Sequence, residues 1–347
     1  MKNPPERTDI YPSESLDDAR ILEIGNRLKA GETCVIPTET VYGLAANGLL
    51  SAAIQKIYTA KGRPADNPLI LHVDSPQRVQ TIVTDISDDA KTLMRTFWPG
   101  PLTLIFHKQA HVPDAVTGGL DSVAVRMPAH PLTLKLIQAA DVPLAAPSAN
   151  RSGRPSSTRF SHVYDDLNGR VDMIIDDGDS PIGIESTVVD CTGEHPAILR
   201  PGQIDQAALE MVLKKNVPYA THTHGAPKSP GVKYGHYQPK GDVELCLGED
   251  AQVHAHLAAK EFDAKRRIIA SLEWADQYPS LPVTPLGSIH DFNSIMKTLY
   301  ATLRQMDDEK VETIYLVAHP SWPESLLDRM KKAANHHVKT FETLAKK

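Results

Sequence analysis

The chain is 347 residues long, and its 37 Lys and Arg against 43 Asp and Glu leave a net charge of −6. With 41% hydrophobic and 23% charged residues it has the composition of a globular protein, which excludes a disordered chain, and the negative balance argues against a nucleic-acid coat. Three cysteines, widely spaced and odd in number, exclude a disulfide framework and a four-cysteine zinc site, and the length suggests two domains at roughly 100–200 residues each.

In chain order, a polar start, Met1-Lys2-Asn3-Pro4-Pro5, lacks the apolar run of a targeting segment. The longest apolar stretches, such as 142–147, fall far short of the ~20 residues that span a bilayer, so the expectation is a soluble, cytoplasmic protein with no membrane partner. The first helix is expected from Ser15, capped there with Asp18 three residues on, with Leu16, Ala19, Leu22 and Leu28 on its buried face and Gly31 as its stop. Strands are expected at 34–36, 69–73, 102–106, 123–126, 144–146, 173–175, 187–190 and 197–199. Helices are expected at 51–60, 88–97, 132–140 and 159–167, and hairpin-like spacing near 173–199 points to an α/β domain with a mixed sheet.

The pattern breaks between about 216 and 240, where Thr221 to Gly231 has no apolar periodicity and reads as linker. Strands then resume at 243–247, 268–271, 283–286 and 314–318, with helices at 251–262, 292–306 and 324–335. That is a β/α series suited to a small Rossmann-like open sheet. Within the linker, His222 and His224 are too few for a closed zinc site, which takes four ligands.

No phosphate loop of the G-x-x-x-x-G-K-[ST] or G-x-G-x-x-G kind occurs, nor H-E-x-x-H, nor G-x-S-x-G. Polar residues instead gather with Pro and Gly where strands end. Pro37 to Leu44 places the hydroxyls of Thr38 and Thr40 after a buried strand, either facing a ligand at the sheet edge or capping a turn. Lys61-Gly62-Arg63-Pro64 sets two cations around a glycine, able to meet phosphates or to complement a helix end. Ala146-Pro147-Ser148-Ala149-Asn150 ends a strand in hydrogen-bonding side chains, for a nucleotide or for an Asx turn. Arg126, Ser186 and Arg200 lie at strand ends.

Together these segments, with Asn67-Pro-Leu-Ile70, Trp98-Pro-Gly-Pro-Leu-Thr103, Val125-Arg-Met-Pro128, Glu185-Ser-Thr187, Leu199-Arg-Pro-Gly202, Ser229-Pro-Gly231, Tyr234 and His236-Tyr237, resemble the threonylcarbamoyl-AMP synthase family in its long form. The resemblance implies a twisted mixed-sheet catalytic domain of the YrdC type over 1–215, a linker over 216–240 folding across the active site, and a smaller Rossmann-like accessory domain over 241–347. It implies a nucleotidyltransferase that turns L-threonine, bicarbonate or CO2, and ATP into threonylcarbamoyl-AMP and pyrophosphate. The product would serve a separate tRNA threonylcarbamoyl transferase.

By the same resemblance Lys61 and Arg63, as the catalytic pair, hold the triphosphate and its Mg²⁺ together with Ser148 and Asn150. Thr117, Arg200 and Tyr234 contact ATP. Thr38, His72, Arg126 and Ser186 form the threonine pocket, with Tyr42 at its border and Arg126 on the substrate carboxylate. Ala45, Val232, Gly235 and Gln238 depart from the family's usual residues, and Gly235 removes an arginine from the linker. The competing readings are another carbamoyl-adenylate-forming enzyme, disfavoured by the absence of Cys-x-x-Cys pairs, an inert regulator, and an RNA-binding module. Weak RNA binding would suit the last, but a net charge of −6 and 5% aromatics give it little support.

Overall fold

A computed structural model of the chain describes residues 7–220 and 237–341. The chain divides into two compact units: Met1–Ser152 with Ser156–Lys233, and Gly153–Pro155 with Tyr234–Lys347.

The first unit is built on ten strands: β1 (Asp9–Pro12), β2 (Cys34–Ile36), β3 (Gly43–Asn47), β4 (Ile70–His72), β5 (Leu102–His107), β6 (Ser122–Arg126), β7 (Leu144–Ala145), β8 (Met173–Asp176), β9 (Thr187–Asp190) and β10 (Ala197–Arg200). They form one mixed sheet in the order β1-β8-β2-β3-β7-β4-β6-β5-β9-β10. Both faces are covered. Val35 packs into one apolar cluster, while its neighbours Cys34 and Ile36 pack into the other. Burial on both faces explains why β2 reads as an unbroken apolar run rather than an alternation.

The first helix is Asp18–Lys29, and its cap is Asp17, whose carboxylate accepts from Arg20 N at 2.8 Å. Ser15 lies instead in a preceding 3-10 turn, and the expected face is rotated: Leu22 is 53% exposed, while Ile21, Ile24, Gly25 and Leu28 are buried. The buried stripe is the one that meets the helix Pro131–Ala140. The hairpin expectation near 173–199 holds only for β9 and β10, which are antiparallel; β8 pairs in parallel with β1 and β2.

The second unit holds β11 (Asp242–Gly248), β12 (Arg266–Ala270), β13 (Val283–Pro285), β14 (Thr313–Ala318) and β15 (Val338–Phe341). All neighbours are parallel, in the order β13-β12-β14-β11-β15. Its helices include Asp250–Ala258, Phe292–Asp308 and Glu324–Ala333, the open α/β arrangement expected. Among the described residues no helix is long and apolar enough to cross a membrane.

Candidate active site

The site lies in the first unit, where β2, β4, β6 and β10 end and β9 begins. After β2, Thr38 makes a tight turn: its hydroxyl donates to Val41 O at 2.6 Å and accepts from Thr40 N and Val41 N at 3.2 and 3.3 Å. The capped turn open from the sequence is therefore present, and it aims the next two side chains. Thr40 Oγ1 accepts from Arg126 Nη1 at 2.8 Å, and Glu39 Oε1 lies 2.5 Å from Arg126 Nη2. The latter is a charge contact rather than a well-angled hydrogen bond. Arg126 Nε donates to Gly100 O at 3.1 Å.

Arg126 and Glu39 are both buried, so each charge would be costly alone. Burial works to raise the Glu39 pKa, and the guanidinium overcomes it, so the carboxyl sits below its ordinary value. Arg126 faces His72 across the parallel β4·β6 pair and Thr103 across the antiparallel β5·β6 pair. Full burial, helped by the charge of Arg126, pushes the His72 pKa down to about 3, which keeps the ring neutral at ordinary pH.

From Thr103 the array continues outward. Thr103 Oγ1 and Ser186 Oγ are 2.7 Å apart, and Arg200 reaches Ser186 three times, from Nε and Nη2 to the carbonyl and from Nη2 to the hydroxyl. Gly202 lets this segment close: a Cβ there would lie 2.4 Å from Thr187 N. One array thus joins Thr38, Arg126, Ser186 and Arg200, with His72 at its flank. Glu39 and Thr103 belong to it and carried no role in the sequence reading, while Thr40, a candidate hydroxyl there, belongs to it by holding Arg126. Their signal was their place inside the short motifs, since nothing local reveals a partner about 85 residues away.

A second group assembles around Lys61. It is the last residue of the helix Ser51–Lys61, and Gly62, at φ +62°, ends that helix in the left-handed conformation and turns the chain toward Arg63. Lys61 Nζ donates to the carbonyls of Ser148 and, at 2.5 Å, Asn150, while Ser152 N donates back to Lys61 O at 2.9 Å. Ser148 Oγ and Asn150 Oδ1 are 2.5 Å apart. Arg63 Nη2 donates to Pro68 O at 3.1 Å, and Thr117 is buried in a short helix, Asp114–Thr117, followed by Gly118 against Asp66. The two groups share a seam of main chain, with Leu44 N to Pro147 O at 2.8 Å and Ala149 N to Tyr42 O at 2.7 Å.

Tyr42 itself is a strut. Its hydroxyl donates to Gly178 O at 2.8 Å and accepts from Asp177 N at 3.0 Å, so the ring is 1% exposed. Tyr234 lies outside the described residues, as do His222 and His224.

Two clusters of buried cations and hydroxyls, meeting at strand ends along one seam, suit a bipartite ligand with an anionic half. The Sua5_yciO_yrdC family, described as telomere recombination, matches residues 26–202, and the threonylcarbamoyl-AMP synthase C-terminal domain matches 204–335. The chain is 39% identical over 343 residues to the threonylcarbamoyl-AMP synthase of Bacillus subtilis (strain 168), covering 95% of this chain and 97% of that one. It belongs to the threonylcarbamoyl-AMP synthase family.

A second member, from Pyrococcus abyssi, is 38% identical over 340 residues, covering 95% and 98% of the two chains. The crystal structure of P. abyssi Sua5 complexed with L-threonine superposes with a TM-score of 0.86 at 36% identity, covering 96% of this chain and all of that one. The synthase family thus accounts for both units.

Proposed function

We infer that the chain is a nucleotidyltransferase that forms threonylcarbamoyl-AMP and pyrophosphate from L-threonine, bicarbonate or CO2, and ATP. The observation that carries this reading is the pairing of a buried, pinned Arg126 with the Lys61–Arg63 group along one main-chain seam.

In the reaction the threonine nitrogen bonds to the carbon of CO2 and gives up a proton to solvent, forming a carbamate. A carbamate oxygen then attacks the α-phosphorus of ATP in line, and pyrophosphate leaves with the bond's electron pair. No protein nucleophile is needed, so positioning and charge stabilisation do the work. Arg126 offers the donors left after Gly100, Thr40 and Glu39 to the substrate carboxylate, a fork that lysine does not reproduce. Neutral His72 and the hydroxyls of Thr38 and Ser186 complete the amino-acid pocket without adding charge.

Lys61 and Arg63, held by main-chain carbonyls, supply positive charge to the triphosphate, with Thr117 beside their loop. Arg200, bonded to Ser186 of the threonine pocket, is proposed to contact ATP. The Ser148 and Asn150 oxygens are hard donors of the kind Mg²⁺ accepts when phosphates provide most of its ligands. Bound there, Mg²⁺ would neutralise phosphate charge. Tyr234 is proposed to contact ATP from the 216–240 segment, the product to pass to a separate tRNA-modifying transferase, and the reaction to run in the cytoplasm.

Purified protein with Mg-ATP is expected to release pyrophosphate only when threonine and bicarbonate are both present, and EDTA is expected to stop it. Release without threonine would overturn the reading. A Tyr234→Ala variant is expected to raise KM for ATP and leave KM for threonine unchanged.

A further inference from the structure

The second unit contains a side-chain cluster that the synthase reaction does not use. Glu244 and Cys246 stand two apart on β11, hence on one face of the sheet. The helix Asp250–Ala258 carries His256 across that same face. The three donor atoms lie within 4.8 Å of one another. Cys246 Sγ is 3.6 Å from Glu244 Oε1, and His256 Nε2 is 3.2 Å from the same oxygen. His337, just before β15, brings its Nε2 to 4.0 Å from the other carboxylate oxygen.

Two of these separations match edges of a coordination tetrahedron. With zinc bonds of roughly 2.3 Å to sulfur, 2.05 Å to nitrogen and 2.1 Å to oxygen, tetrahedral angles place sulfur and oxygen about 3.6 Å apart and nitrogen and oxygen about 3.4 Å apart. The donor set, one thiolate, imidazole and carboxylate, is the borderline-soft mixture that zinc accepts. Cys246 is buried, so its sulfur is shielded from solvent on the strand side, while Glu244 and His256 are half-buried and leave a path of entry.

We propose that Glu244, Cys246 and His256 form a structural site for a divalent zinc-like cation, with His337 placed to supply the fourth ligand. Binding releases the thiol proton to solvent and moves the His256 proton from Nε2 to Nδ1. Lys339, whose Nζ lies 3.4 Å from His256 Nδ1, has to turn away, and its side chain is exposed and can do so. The ion would tie β11 to the helix over it and to the start of β15, stabilising the second unit.

The test uses full-length protein without an affinity tag, loaded with Zn²⁺ or Co²⁺ and dialysed. Retention of roughly one equivalent is expected, with a thiolate-to-cobalt charge-transfer band in the near ultraviolet. Cys246→Ser should abolish the band, and His256→Gln should weaken binding by about tenfold or more. Lys339→Met should tighten it. The melting temperature should rise with Zn²⁺ in the unaltered protein and not in His256→Gln, while pyrophosphate release is the same in both. The proposal is overturned if no ion is retained. It is equally overturned if the cobalt complex lacks the thiolate band, which would place the ion on nitrogen and oxygen ligands such as His222 and His224, or if the band survives Cys246→Ser, which would place it at Cys34 or Cys191.

Discussion

Two sets of buried or half-buried cations, one in each unit, are held in different ways. In the first, Lys61, Arg63 and Arg200 donate to the main-chain carbonyls of Ser148, Asn150, Pro68 and Ser186. In the second, Arg329 and Lys332 both sit on the carboxylate of Asp328, at 2.9 and 2.8 Å. Carbonyl dipoles hold a cation while leaving its net charge to act on whatever comes near. A carboxylate cancels it. The contrast teaches that burial alone does not say how a cation is held; buried Arg304 of the second unit, donating to Pro155 O at 2.7 Å, shows that carbonyl partners are not confined to the first unit. Arg126 shares both habits, with Gly100 and Thr40 on one side and Glu39 on the other.

The largest effect is expected at Arg63. Arg63→Ala should lower turnover by about 10²–10³-fold while circular dichroism stays native, since the residue is only half-buried and lies past the helix end. Lys61 is a less clean probe. It is buried and ends a helix rather than lying in a loop, so its removal disturbs packing as well as charge. Next comes Glu39→Gln, which leaves Arg126 buried without its counter-charge. A stability loss of about 3–5 kcal/mol by urea denaturation is expected, with a raised KM for threonine and little change in KM for ATP.

The pH dependence is smaller and isolates His72. Its folded pKa of about 3 lies below the ordinary 6.5, so the unfolded chain takes up a proton first as pH falls. The contribution is full above about pH 6.5 and is lost progressively toward pH 3. Between 6.5 and the carboxylate range the slope should flatten in His72→Asn, measured as melting temperature against pH. The smallest effect is expected in the second unit. Lys332→Ala should change stability by less than about 1 kcal/mol and leave pyrophosphate release untouched. Loss of activity there equal to that of Arg63→Ala would break the comparison.

Much of this was legible in the chain, and the gaps have physical causes. The strand Thr187–Asp190 and the helix Asp88–Phe97 have the expected bounds, because β-branched residues and a strong amphipathic stripe mark them locally. Strand β3 was missed: Gly43-Leu-Ala-Ala-Asn47 has no β-branched residue and is a strand through its pairing with β2 and β7. Strand β1 is a four-residue edge segment with alternate residues exposed, and it too is defined by its partner, β8. For the site, motif spacing pointed to Lys61, Arg126 and Ser148. Glu39 lay in a motif without a role because only the fold brings it to Arg126.

Gly62 separates the two cations of the phosphate group, and a Cβ built there would meet no atom within 4 Å. Bulk is therefore not what selects glycine; handedness is. An L-residue held at φ +62° costs about 1–2 kcal/mol, with asparagine among the most tolerant. Replacements at 62 should consequently rank by how willingly each enters left-handed space, with Asn ahead of the smaller Ala and both ahead of Val. The angle between Lys61 and Arg63 is in this sense set by chirality, and a ladder of substitutions at one open position can read it.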